Sequence, residues 1–332
     1  VHIPPVMKSL TLLFVQALLL GVLACAPAHA QPEFTGERFP YDAFDRLTTT
    51  PLQVGGGTLN VAFAPGELAL PRSAIMDWLE TSAKAVSVYF GKFPLASARV
   101  LIVPAPGRGV QNGTTFGYRG AAIRLTVGSD ATEADLDDDW KAVHEMTHLA
   151  LPDVKDEHLW LAEGIAVYVE PVARVQAGDL TAQKIWGDMI HDMPKGLPEP
   201  GDRGLDHTPT WGRTYWGGAM FCLLADVEIR KRTGNAKGLQ QALRGILDEG
   251  GNHEQDWDNW PVKRIFNVGD EATGTTVLSD LYNKMRSKPY APDLDALWRE
   301  LGVSVQQGSV VFDDSAPLAP IRRAITAAPA KS

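Results

Sequence analysis

The sequence predicts an α+β fold in which an N-terminal mixed sheet with helices gives way to a mainly helical C-terminal part. Three observations carry this. Period-two apolar runs lie early in the chain: Leu59, Val61 and Phe63 alternate with Asn60 and Ala62, and Ile123, Leu125 and Val127 alternate with Arg124 and Thr126. From Thr132 onward the apolar residues fall at helical spacing instead. With 45% hydrophobic residues in 332, the chain can bury a sizeable core. Strands first and helices later is the order of an α+β chain rather than of an alternating α/β one.

Taken in order, residues 1–30 read as a secretory leader, with Lys8 as the positive end, Leu10 to Leu23 as the apolar stretch and Ala28-His29-Ala30 as the cleavage site. Val22-Leu23-Ala24-Cys25 resembles a lipoprotein processing box, so a lipid anchor at Cys25 competes with soluble export. Either way the expected location is extracytoplasmic, periplasmic or secreted, with no membrane span in the mature chain. Residues 31–54, with Pro32, Pro40, Pro51 and three consecutive threonines, read as an irregular lead-in. A strand around Leu59 to Phe63 is closed by Pro65-Gly66, and a helix runs from Ser73 to Phe90 and stops at Gly91. Val100 to Val103 is a short apolar strand, and a glycine-bearing stretch from Gly107 to Gly120 precedes the strand at Ile123. Helices follow over Thr132 to Leu151, Leu159 to about Gln176, Tyr215 to Arg232, Leu239 to Leu247 and Val277 to Arg286. Pro194 to Thr210, rich in Gly and Pro, reads as a long surface loop, and Thr326 to Ser332 as a frayed end.

Charge and cysteine usage narrow the function classes. The formal charge of -9 is spread along the chain and leaves no basic footprint for nucleic acid. Cys25 and Cys222 are the only cysteines, and loss of the leader removes the first, so no intrachain disulfide remains. Cys222 lies in an apolar helical run and reads as a core thiol.

The chemistry concentrates in His144-Glu145-Met146-Thr147-His148. Residues four apart on a helix face the same way, so both imidazoles can converge on one ion while Glu145 addresses a metal-activated water. Catalytic zinc takes three protein ligands and keeps a fourth position open. Pro152 ends the first helix, residues 153–158 turn the chain, and Glu163 opens the next among Leu161, Ile165 and Val167. A carboxylate in such apolar company is costly unless it meets a cation, which makes Glu163 the third ligand. His158 competes for that role, but its surroundings lack the glycine and third histidine of a metzincin, and it reads as a solvated loop histidine.

These segments resemble the gluzincin metallopeptidases, especially the aminopeptidase N and glycyl aminopeptidase branches and shorter peptidase-MA-like relatives. Val143 to His148 is similar to their first zinc helix, and Trp160-Leu161-Ala162-Glu163-Gly164-Ile165-Ala166 to their second. Thr214-Tyr215-Trp216-Gly217 is similar to the segment that supplies a transition-state tyrosine, although Gly217 stands where a lysine is usual. The resemblance implies a thermolysin-like zincin catalytic domain, one zinc per chain and hydrolysis of peptide bonds in a peptide or protein substrate. It divides the chain into a sheet and zinc-helix subdomain at 55–190, a helical subdomain at 191–302 and a C-terminal segment and tail at 303–332. The spacer between His148 and Glu163 is shorter than in the aminopeptidase N branch. Gly113-Thr114-Thr115-Phe116-Gly117, the counterpart of that branch's amine-binding strand, has no carboxylate, so exopeptidase specificity does not carry over.

In this reading Glu145 is the general base and Tyr215 the donor to the developing oxyanion, with His207 or Arg213 as substitutes. Trp211 and Trp216 either line a substrate groove or fill core. Two alternatives share the same residues: a non-catalytic zinc-binding envelope protein, and a zinc hydrolase of non-peptide amides or an epoxide. An intact Glu145 argues against the first, because a structural ion needs no neighbouring base.

Overall fold

The computed structural model describes residues 39–254 and 260–328; the leader, with Cys25, lies outside them. Proline and threonine do not keep the segment before residue 55 irregular. It forms helix α1 (Phe39–Arg46) and strand β1 (Thr49–Val54), which pairs antiparallel with β2 (Gly57–Phe63). Pro51 is tolerated because β1 is an edge strand, where a missing amide breaks no second ladder. Helix α2 (Arg72–Phe90) ends at Gly91, whose φ of 82° is the left-handed cap that glycine adopts without strain. It crosses to β3 (Ser97–Ala105), followed by β4 (Val110–Phe116) and β5 (Ala122–Gly128).

The five strands run in the order β1-β2-β3-β5-β4, parallel through β2, β3 and β5 and antiparallel at both edges. Central β3 is apolar on both faces. Val100 and Ile102 enter the main core, while Leu101 and Val103 meet Ala43, Ala62 and Ala64 in a smaller cluster against which Phe44 of α1 and Leu47, just after it, pack. β4 occupies the glycine-bearing stretch that sequence alone leaves unassigned, because Gln111, Asn112, Gly113 and two threonines carry no apolar alternation.

The expected helix over Thr132 to Leu151 is broken. α3 (Glu133–Asp137) starts from a Thr132–Asp135 capping box, and α4 (Lys141–His148) starts afresh where the Asp139 carboxylate accepts the Ala142 amide at 3.0 Å. The break turns Trp140 out of the expected apolar stripe, leaving it 46% exposed. α5 (Leu159–Ala177) and α6 (Ala182–Asp192) follow, so a subdomain boundary at 190 would cut through α6. The region from 194 to 210 is no free surface loop: Gly196, Asp202, Gly204 and Leu205 are buried in it. α7 (Gly218–Arg232) is entered through a π-helical turn, Gly212–Gly217, rather than as one helix from Tyr215. α8 (Leu239–Asp248), α9 (Val262–Thr273), α10 (Val277–Met285) and α11 (Leu294–Leu301) complete the helical part. The expected tail begins with a hairpin, β6 (Val303–Gln306) and β7 (Ser309–Phe312), and α12 (Ala319–Thr326). Arg322 of α12 is buried and donates to the Leu301 and Gly302 carbonyls. One main core cluster runs from Leu59 to Ile325, and no helix among the described residues is long and apolar enough to cross a membrane.

α5 and α7 meet backbone to backbone. A Cβ on Gly164 would lie 2.3 Å from the Gly218 main chain, and one on Gly218 2.0 Å from the Trp160 carbonyl oxygen. Gly164→Ala therefore forces the helices apart, and we expect a loss of about 1–3 kcal/mol, seen as a lower urea midpoint with an unchanged slope.

Candidate active site

α4 places His144 and His148 one turn apart on the same face, with ring centroids 4.9 Å apart. α5 packs against α4 and brings in Glu163, whose Oε2 lies 3.2 Å from His144 Nε2 and 3.7 Å from His148 Nε2. The three potential ligand atoms lie within 4.8 Å of one another, the single such group of His, Cys, Asp or Glu among the described residues. Burial, reinforced by His144, pulls His148 down to about 3, so its imidazole is neutral and offers a lone pair. Burial raises the Glu163 carboxyl, but the His144 hydrogen bond and both imidazoles outweigh it and hold the group below the usual carboxylate range. Two imidazoles and one carboxylate, facing a cleft of about 370 Å³, fit a zinc ion with an open position.

Glu145 is 9% exposed and turned toward β4. The Thr115 hydroxyl lies 2.7 Å from its Oε2 and 2.9 Å from its main-chain oxygen, so one proton serves either acceptor. Gly113 admits the side chain, since a Cβ there would sit 2.6 Å from Glu145 Cγ. Burial raises the Glu145 carboxyl above its ordinary value, with His144 and Thr115 opposing it. No local sequence feature marks Thr115 as a contact of Glu145; its place on β4, 30 residues away, is set by the sheet.

Tyr215 lies in the π-helical turn and lines the same cleft. Burial, then the charges of Glu163 and Glu145, raises its hydroxyl above the ordinary value, so it remains a donor. The two substitutes are elsewhere. Arg213 is 3% exposed, paired with Asp202 at 2.7 Å and donating to the Gly196 carbonyl, which leaves it no reach into the cleft. His207 is exposed and does not line the cleft. Trp211 is 61% exposed beside Tyr215, with 6.1 Å between ring centroids, and is not core; Trp216 is partly buried. Cys222 is buried, and burial pushes its thiol up, away from reactivity.

His158 lies outside the cluster and is not solvated. It is buried, and its Nδ1 donates to Asp206 Oδ1 at 3.1 Å. Asp206 also accepts from Trp160 Nε1 and Tyr282 Oη, each at 2.9 Å, and so ties the 194–210 segment to α5 and α10. Such a hub has no local sequence signal, because its partners lie 46, 48 and 76 residues away.

No protein-family model matches the sequence, and no curated protein does either. Solved structures do match. An aminopeptidase N family protein from Idiomarina loihiensis superposes with a TM-score of 0.56 at 16% identity, over 79% of this chain and 50% of its own. This chain shares the fold of that protein. An M1 zinc metallopeptidase from Deinococcus radiodurans is more distant, with a TM-score of 0.48 at 17% identity, covering 75% of this chain and 52% of its own. The chain thus spans about half the length of these solved structures. Within this fold, the clustered histidines lie on α4 and Glu163 on α5, the two helices that flank the cleft.

Burial raises the Asp206 carboxyl, but its three donors outweigh burial and hold it below the ordinary range. Asp206→Asn is expected to cost about 1–3 kcal/mol at neutral pH, measured by urea unfolding. Because the folded carboxyl titrates below the unfolded one, the wild-type advantage is full above about pH 4 and shrinks as the pH falls through the folded value. An advantage constant across that range would show that the ionised carboxylate is not what the donors hold.

Proposed function

We propose that this chain is an exported zinc-dependent peptidase, with His144, His148 and Glu163 as the ligands of one zinc ion and Glu145 as the general base. The observation that carries the reading is Glu145 itself, buried beside the three clustered donors and oriented by Thr115. A structural ion would require no such residue. The leader-like residues 1–30 support export.

Bound at this cluster, zinc supplies a Lewis acid that polarises a carbonyl and acidifies water. Glu145 takes the proton of the attacking water and passes it to the departing amine nitrogen. Its raised carboxyl pKa brings it closer to the working pH, as suits a group that must accept and then release a proton. Thr115 and the close wall at Gly113 hold the carboxylate in one orientation between these two transfers. Tyr215 Oη, kept protonated, donates to the oxygen on which charge develops.

A peptide is the substrate class that the cleft supports best. Asn112, Gly113, Thr114 and Thr115 of β4 line it, and β4 is the last strand of its sheet. Its outer main-chain groups can pair with an extended peptide, which fixes the scissile bond along the zinc helix.

Elemental analysis of the zinc-incubated full chain should find one zinc per molecule. Glu163→Ala should sharply reduce retention while His158→Ala leaves it, and the reverse would replace the third ligand. Glu145→Gln should keep its zinc and lose hydrolysis by about a hundred- to ten-thousandfold.

Tyr215→Phe removes one hydroxyl and keeps the ring. We expect turnover to fall by about ten- to a thousandfold, with zinc content and KM little changed. Unchanged turnover with a lowered Tm would assign Tyr215 to packing.

A further inference from the structure

A cavity of about 590 Å³ lies among the first half of α2, α3, the start of α4 and the end of α5, and none of the residues that line it also lines the metal cleft. The volume is that of a ligand site, for which about 300–1,000 Å³ is usual. Asp77, Glu133, Asp137, Asp139 and Asp179 all contribute to its walls. Among the described residues, no side-chain hydrogen bond or ion pair satisfies the carboxylates of Asp77, Glu133, Asp137 or Asp179. The one cation on the wall, Arg174, is already engaged: it donates to Glu170 at 3.0 Å and to the Asp137 main-chain oxygen at 2.8 Å. Negative potential is therefore concentrated in a concave surface.

Clustered acids alone attract any cation and do not define a site. Two buried groups on the same walls narrow the ligand. The Asp139 side chain is 1% exposed; its Oδ2 caps α4 through the Ala142 amide, but its Oδ1 has no hydrogen-bond partner, and Lys141 Nζ comes no closer than 3.8 Å. Trp78 is 8% exposed, and its Nε1–H has no acceptor. An acceptor and a donor both left over at one cavity call for a ligand that brings a cationic donor and an oxygen acceptor together. A bare divalent ion fits poorly, because no three of these carboxylates bring oxygens within 4.8 Å of one another.

We propose that this cavity binds a small organic polycation that also carries hydroxyl groups, the chemistry of an amino sugar with several ammonium groups. The ammonium groups answer the separated carboxylates, and a hydroxyl oxygen accepts from Trp78 Nε1. The inference does not depend on the peptidase reading. It does touch the same helix from another side: Asp139 caps α4, and Val143 on the cavity wall immediately precedes His144.

The test is isothermal titration of the full chain at low salt with kanamycin, which carries amines and hydroxyls, with spermine, which carries amines alone, and with trehalose, which carries hydroxyls alone. We expect one kanamycin per chain, bound about fivefold or more tighter than spermine, and no binding of trehalose. Asp137→Asn combined with Asp179→Asn should weaken kanamycin and spermine alike by about tenfold. Glu271→Gln combined with Asp295→Asn, which removes exposed acids that do not line the cavity, should leave both within about twofold. Trp78→Phe removes the N–H and should bring kanamycin to the affinity of spermine while spermine moves by less than about twofold. Equal losses from the two acid pairs would make the attraction a property of the whole acidic surface and overturn the site. Kanamycin no tighter than spermine, or a preference that survives in folded Trp78→Phe, overturns the ligand class; where that variant does not fold, the wild-type comparison decides. Displacement of kanamycin by one equivalent of calcium or magnesium overturns the organic cation in favour of a metal.

Discussion

The close passage of α5 over α7 is the constraint on which the site depends. Helices that carry side chains at their contact stay about 8–10 Å apart. Here Gly164 and Gly218 remove the side chains from both surfaces, and main chain meets main chain. Glu163 immediately precedes the first of these glycines, and Tyr215 lies three residues before the second. The carboxylate and the phenol proposed as metal ligand and hydroxyl donor, 52 residues apart in sequence (163 to 215), are thereby brought to one cleft. Gly196 extends the same logic, since a Cβ there would lie 2.3 Å from the Trp216 carbonyl carbon. The π-helical turn that presents Tyr215 is thus held from two sides by glycine.

The site groups titratable side chains in ways that the rest of the core avoids. His144 and Glu145 are buried and Glu163 is partly so, with its carboxylate 3.2 Å from His144. Without a cation such a cluster sets two carboxylates together at the cost of their desolvation. Several other buried charges are paired within the protein: Arg213 with Asp202, Arg230 with Asp226, Arg174 with Glu170. Those pairs act as braces. The Arg213 pair fastens the 194–210 segment beneath the π-helical turn, and the Asp206 hub fastens it again to α5.

Legibility in the sequence followed the range of the interaction. His144, Glu145 and His148 are readable because helical spacing alone aligns them, and Glu163 because it stands only fifteen residues after His148, in the next helix. The alternating strands β2 and β5 and helix α2 were readable for the same local reason. The gap between α3 and α4 was not, because apolar residues on either side mimic one continuous stripe across the Asp139 cap. β4 was hidden by its composition and is a strand because β5 offers it a partner. Arg213 reads as an available cation until the fold supplies Asp202, and His158 as solvated until it supplies Asp206. Thr115 had no signal at all, being defined by an acceptor on another layer.

The open edge of β4 has a consequence for the protein as a solute. An unpaired strand that can accept an extended peptide can equally accept the strand of another copy, which is how edge-to-edge aggregation starts. Several features of this edge discourage that. It is polar along Gln111 to Thr115 and irregular between Val110 and Asn112, where its register with β5 shifts. It also faces a cleft rather than open solvent, so a flat neighbouring sheet cannot approach it squarely. The glycine and threonines that make this strand hard to recognise in the sequence therefore also make its edge a poor partner for the strand of another copy.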